Sequence, residues 1–388
     1  MTEGQPLVRL GIAGLGQAGA ALVPALGRTQ RVVVTAVADP FEDTVAAFRR
    51  DFPVEGHASV EALCESEAVD LVYIATPTHL HARHARIAIA AGKHVIVEKP
   101  MAVTMDEAEG MIAAAEGAGV HLMVGQSQSF EPPVRAMRDL VASGEIGPLR
   151  MLHTWNYTDW VYRPRAPEEL DSARGGGALF RQGPHQVDVL RWIGGGMVRS
   201  VRASVGSWDA ARGGDGAHTL FLEFENGVVA TAVYSGYGHF DSRDLTAGIG
   251  EDGRPASESL RGRGGLESDV NQAARKRLRG YRGASTPDPT HASTYGLTVV
   301  SGERGDLRQS PGGLLVHSAD GTREVPVPAV PTGRDVMLEE ASNAVALGQR
   351  PAHDGPWGRA NLEVCLAALE SARTGREIPL RYQIATPS

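Results

Sequence analysis

Cysteine is nearly absent from this 388-residue chain. Cys64 and Cys365 are the only two, so no framework of disulfide bridges is open to it. A reducing, cytoplasmic setting is expected. Long apolar runs are also missing: none reaches the roughly 20 residues that a membrane-spanning helix needs. Met1 to Arg9 has neither the basic nor the apolar region of a secretory signal. No basic stripe occurs, and the formal charge is -8, which argues against a nucleic-acid partner. There is no internal repeat.

What is present is an ordinary apolar content of 42%, enough to pack the core of one or two domains. Short apolar strands alternate with helices in the first third: strands at Val8 to Ile12, Val32 to Ala38, Leu71 to Ala75, Val95 to Val97 and His121 to Val124. Helices are expected at Ala18 to Leu26, Phe41 to Asp51, His81 to Ala91 and Met105 to Ala118. This alternation predicts an α/β unit, a doubly wound parallel sheet over residues 1–125. From Leu149 onward the pattern changes to alternating runs, with Asn226-Gly227 as a hairpin turn. An α+β domain with a large, mostly antiparallel open sheet is expected over 126–388, interrupted by a helix from Gln186 to Ile193. The polar stretch 241–291 reads as a flexible insertion, helical near Asn271 to Arg279, acting as a mobile lid or an oligomer contact. Helices at Asp335 to Leu347 and Ala360 to Arg373 fall within 335–374.

Two motifs carry chemistry. The turn Gly14-Leu15-Gly16-Gln17-Ala18-Gly19 follows a strand and opens a helix, and Asp39 ends the next strand. In that context the glycines let a pyrophosphate approach the backbone, and the acid accepts from ribose hydroxyls. No Arg or Lys follows Asp39 before Arg49, which favours NAD over NADP. The second motif, Glu98-Lys99-Pro100, puts an ammonium at the C-terminal end of a parallel strand, the edge where such sheets bind ligands. Thr76-Pro77 ends a strand on that same edge. His79, His81 and His84 resemble a metal cluster, yet no carboxylate is placed to complete it. They read as solvated histidines at a helix start, and no metal is expected. The cofactor wall read from the sequence is therefore Gly14, Leu15, Gly16, Gln17, Ala18, Asp39, Thr76, Pro77, His81, Glu98 and Lys99.

Together with the block from Gly175 to Asp188, these motifs resemble the Gfo/Idh/MocA oxidoreductase family over nearly the whole chain. The resemblance implies that Lys99 and His185 are catalytic. It also implies a homodimer or homotetramer formed through the open sheet. Many family members carry an aspartate four residues before the histidine; here that position is Arg181. A guanidinium cannot act as a base but can grip a carboxylate in a fork. Arg163 and Arg165 lie upstream, and Tyr157 and Gln182 are placed with them on the substrate side. The segments around Tyr162, Arg181 and Tyr234 resemble the phthalate 4,5-dihydrodiol (4,5-dihydroxyphthalate) dehydrogenase branch. That implies hydride transfer from a secondary alcohol, a cis-dihydrodiol or another anionic cyclic substrate, to NAD. The alternatives are a sugar, inositol or glycoside dehydrogenase, and a non-catalytic dinucleotide-binding sensor.

Overall fold

A computed structural model describes residues 6–255, 269–281, 283 and 287–387. Its first sheet holds β1 (Val8–Ala13), β2 (Val32–Ala38), β3 (Glu55–His57), β4 (Leu71–Ile74), β5 (His94–Glu98) and β6 (Leu122–Gly125). The order is β3-β2-β1-β4-β5-β6 and every pairing is parallel. Leu71, Val72, Tyr73 and Ile74 are all fully buried, as expected of a strand covered on both faces. Strand order reverses between β1 and β4. The crevice beyond their C-terminal ends is the place where such sheets bind ligands.

The second sheet has nine strands: β7 (Leu149–Tyr157), β8 (Val198–Gly206), β9 (Ala217–Phe224), β10 (Val229–Ser235), β11 (Leu297–Gly302), β12 (Gly305–Ser310), β13 (Gly313–Ser318), β14 (Gly321–Pro326) and β15 (Ile378–Pro379). Their order is β14-β13-β12-β11-β7-β10-β9-β8-β15, antiparallel except where β7 meets β10. Period-2 alternation turns Leu152, Leu220, Leu222, Ala230 and Ala232 inward, onto Leu179, Val187 and Leu190 of the helix Ala178–Gly194. Each fully buried leucine or valine among them contributes about 1.5–3 kcal/mol. Met151, Trp155 and Phe221 stay exposed on the outer face.

The helix Ala178–Gly194 begins eight residues before the sequence pattern placed it. Gly183-Pro184 reads as a break in sequence. The N-terminus is instead held by distant groups: Asp215 accepts from the Leu179 N–H at 2.7 Å, and its carbonyl from Ala178 at 2.7 Å. The helix is locked in place from its far side. Asp188 Oδ1 accepts from Trp357 Nε1 at 2.7 Å and from Asn361 Nδ2 at 3.0 Å. Arg191 donates to Asn361 Oδ1 at 2.5 Å and lies 3.9 Å over the Trp357 ring. All four are buried, which fixes helix Ala178–Gly194 against helix Gly355–Thr374. Asp188→Ala removes the carboxylate beside a buried guanidinium. We expect a loss of about 3–5 kcal/mol, read by denaturant unfolding, because Trp357 Nε1 loses its buried acceptor and Arg191 keeps only Glu363 as a counter-charge.

Candidate active site

One cavity of about 720 Å³ runs from the glycine turn after β1 to the ends of β4 and β5 and on to the helix Ala178–Gly194. Gly14 adopts φ +95°, and a Cβ there would sit 2.6 Å from the Ala75 carbonyl oxygen. A Cβ on Gly19 would run into the Gly14 carbonyl oxygen, so both positions require glycine. At Gly16 a Cβ would meet nothing within 4 Å. That open space faces the cavity at the N-terminus of helix Gln17–Arg28, where free N–H groups and the helix dipole favour a pyrophosphate. Asp39 lines the same end. Its carboxylate accepts from the N–H groups of Leu15 at 2.9 Å and Phe41 at 3.0 Å, and its remaining lone pairs are free for ribose hydroxyls. Arg83, on the cavity wall, is paired with Glu61 at 3.0 Å rather than with Asp39. These residues fit a dinucleotide without a 2′-phosphate.

At the other end, Lys99 follows β5 directly. Its Nζ donates to the Arg181 carbonyl at 2.8 Å. Burial, with Arg181 nearby, pushes the ammonium down to about 8. Glu98 accepts from the buried Tyr73 hydroxyl, and from the Lys99 N–H at 3.1 Å. Arg181, Gln182 and His185 fall at i, i+1 and i+4 of one helix, which puts all three on the cavity wall. Burial and the cations Lys99, Arg334 and Arg181 hold His185 well below its ordinary value, so it is a neutral imidazole at neutral pH. Its Nδ1 is buried with no hydrogen-bond partner, and its ring lies 4.9 Å from that of Tyr295. A neutral histidine beside an ammonium is a workable proton acceptor next to an oxygen-binding cation.

The arginines do meet. Arg181 donates to Glu169 Oε1 at 3.1 Å and to Thr78 Oγ1 at 2.9 Å. Arg165 lies 3.6 Å from the same Glu169 oxygen and 4.1 Å over the Trp160 ring. Arg163 pairs with Asp159 at 2.7 Å. Burial alone would raise the Glu169 carboxyl, but Arg181, Arg165 and Lys276 outweigh it and hold it at about 2.

Three site expectations are corrected. Tyr157 does not line the cavity; its ring packs 5.9 Å from Phe240, because the alternation of β7 turns it to the sheet's outer face. The Leu15 side chain is fully buried in the core beneath the turn, so only its backbone borders the site. Of the three histidines only His81 is withdrawn from water; His79 and His84 are half-buried and hydrogen-bonded. His84 Nδ1 lies 2.9 Å from Thr76 Oγ1, and His79 lies 2.9 Å from Arg174. Buried His81 is pushed down to about 4 by its burial, and its two ring nitrogens face the carbonyls of Pro100 at 2.9 Å and Thr76 at 2.8 Å. It therefore braces two cavity loops while itself lining the cavity. Thr76, Pro77, Gln17 and Ala18 line it as expected.

Glu169, Lys276, Arg279 and Arg334 also line the cavity and were not singled out in the sequence. Glu169 could have been found as the carboxylate among the upstream arginines. Arg334 carried no signal, since only tertiary packing brings helix Gly333–Leu347 to the cavity. Among the described residues no helix is long and apolar enough to cross a membrane.

Residues 8–126 match the oxidoreductase family with an NAD-binding Rossmann fold, GFO/IDH/MocA, and residues 134–254 match that family's C-terminal domain. The chain belongs to the GFO/IDH/MocA oxidoreductase family. This NAD-binding oxidoreductase is 37% identical to a 1-carboxy-3-chloro-3,4-dihydroxycyclohexa-1,5-diene dehydrogenase of Comamonas testosteroni, over 94% of this chain and 95% of the relative. A crystal structure of a protein assigned as a dehydrogenase in Bordetella bronchiseptica RB50 is 39% identical. It superposes with a TM-score of 0.90 and covers 97% of this chain and 100% of that one. A levoglucosan dehydrogenase in complex with NADH and levoglucosan shares the fold, with a TM-score of 0.73 at 20% identity over 96% of this chain and 99% of that one.

Proposed function

We propose that this family member oxidises a carboxylated cis-dihydrodiol, a cyclohexadiene cis-diol, to the corresponding catechol, with NAD as hydride acceptor. The observation that carries this reading is the charge of the cavity's inner end. Lys99, Arg163, Arg165, Arg181, Lys276 and Arg334 outnumber the carboxylates facing them there. Cations held out of water are costly without an anion, and the dinucleotide brings only part of that charge. The Comamonas testosteroni relative is named for a carboxylated dihydroxycyclohexadiene, which agrees. The outer face of the second sheet, with Met151, Trp155 and Phe221, is the surface we propose for a homodimer or homotetramer.

NAD, when bound, supplies the electrophilic carbon that takes the hydride from the carbinol C–H. The protein's own residues handle the proton. Neutral His185 accepts it from the hydroxyl. The Lys99 ammonium holds the oxygen as its charge develops, and the carbonyl formed then relaxes to the aromatic diol. Arg181 and Arg165 hold the substrate carboxylate and so fix which carbinol carbon faces the nicotinamide.

The reading is tested by following NADH formation with carboxylated cis-dihydrodiols, inositol and glucose. Turnover of the dihydrodiol is expected, with KM raised about tenfold to a hundredfold by Arg181→Ala, the cost of unpairing a desolvated charge. Faster turnover of the neutral polyols, unharmed by that substitution, would contradict it. At the cofactor end, Asp39→Ala is expected to weaken NAD about tenfold and to narrow the preference over NADP. Titrating both cofactors against protein fluorescence checks this.

A further inference from the structure

The helix Asp269–Arg277 lies beyond both stretches that match the family. It brings Lys276 onto Glu169 Oε1, the oxygen that Arg165 and Arg181 also face. The other Glu169 oxygen accepts from the Ala166 N–H at 2.9 Å. One carboxylate, 5% exposed, thus stands against three cations. The nearby Arg163 is already matched by Asp159. Glu98, Glu168 and Glu251 also line the cavity, but so do Lys99, Arg174, Arg279 and Arg334, so cations still outnumber carboxylates there, and an incoming anion balances the excess.

Lys276 is held there from two sides. Gln272 Oε1 accepts from Arg212 Nη1 at 2.5 Å on the side of the second sheet. On the other side the chain passes over the glycine turn, and the Tyr281 N–H donates to the Leu15 carbonyl at 3.0 Å. The Tyr281 ring packs 4.5 Å from Phe48, and its hydroxyl donates to Asp51 at 2.5 Å. The segment therefore spans the cavity from the substrate side to the dinucleotide turn.

Resting on the reading above that the substrate is anionic, we propose that Lys276 is a specificity-determining residue that binds the substrate carboxylate together with Arg165 and Arg181. The same ammonium chemistry would suit the dinucleotide pyrophosphate, so the experiment separates the two anions.

The test uses the full-length protein saturated with NAD, titrated calorimetrically with benzoate and with benzyl alcohol. Wild type is expected to bind benzoate more tightly than the neutral ring. Lys276→Met is expected to weaken benzoate about tenfold or more while NAD affinity stays within about threefold, and Lys276→Arg to recover most of the loss. Lys276→Met leaves Glu169 with two partners, so folding is not at risk. Failure of wild type to bind benzoate, unchanged benzoate affinity in Lys276→Met, or a tenfold loss confined to NAD would each overturn the proposal. Turnover of a carboxylated diol is measured separately. Loss of benzoate binding in Lys276→Met with no diol turnover in wild type keeps the role of Lys276 and removes the diol reading. Diol turnover whose KM ignores Lys276→Met does the reverse.

Discussion

Replacing His185 by alanine is expected to lower kcat about 10²–10⁴-fold while NAD affinity stays close to that of wild type, the usual range for loss of a positioned proton acceptor. The argument is one of charge state and place. His185 stands at the cavity wall one helical turn from Arg181, with Lys99 close enough to push its protonation down. A base must be unprotonated before it can act, and burial together with three neighbouring cations keeps this imidazole neutral well below pH 6.5. Activity should therefore persist into mildly acidic buffer, and kcat/KM should fall only well below the ordinary titration range of histidine. Stopped-flow measurement of NADH formation in His185→Ala, alongside an NAD titration, separates chemistry from binding. Normal turnover in the variant would show the histidine to be packing alone.

Lys99→Met should be almost as damaging, at about 10²-fold in kcat, because it removes a cation placed to hold the developing oxyanion. It also carries a distinct pH signature. Burial, with Arg181 nearby, lowers the Lys99 ammonium to about 8, so it is mostly charged at pH 7 and loses its proton as pH rises through about 8. If the cation is required, wild-type kcat at saturating substrate declines on the alkaline side near pH 8, and that limb disappears in Lys99→Met. The readout is kcat because burial also lowers Lys276 to about 8, and its deprotonation acts on substrate binding. The Lys99 Nζ donates to the backbone carbonyl of Arg181. It is therefore held by a neutral group that leaves its charge available to substrate. An unchanged alkaline limb in the variant would assign that titration elsewhere.

The parallel sheet and its cofactor turn were legible because the signals are local. Strand, glycine turn and helix follow one another within the first 28 residues, and Gly14 and Gly19 answer to contacts within the same unit. Lys99, Arg181 and His185 were legible as motif positions, and the fold brings all three to one cavity wall. What escaped was non-local. The N-terminus of helix Ala178–Gly194 is held by Asp215, so its start carries no capping signal of its own. The hairpins of β12, β13 and β14 were not singled out, because polar residues such as Asp306, Arg308 and Arg323 dilute their alternation. The insertion was read as flexible from its polarity. Its described part is instead tied to Glu169, Arg212 and Leu15, while 256–268, 282 and 284–286 lie outside the described residues. Tyr157 was misplaced because strand alternation, not proximity to the arginines, decides which face a β7 residue takes.

The most direct measurement is a crystal structure of the enzyme with NADH and a carboxylated catechol, the product side of the proposed reaction. The account predicts a catechol oxygen within hydrogen-bond distance of both Lys99 Nζ and the His185 ring, with the carboxylate turned to Arg181 and Arg165. A ring bound with its carboxylate toward solvent, or with no oxygen near Lys99 and His185, would contradict it.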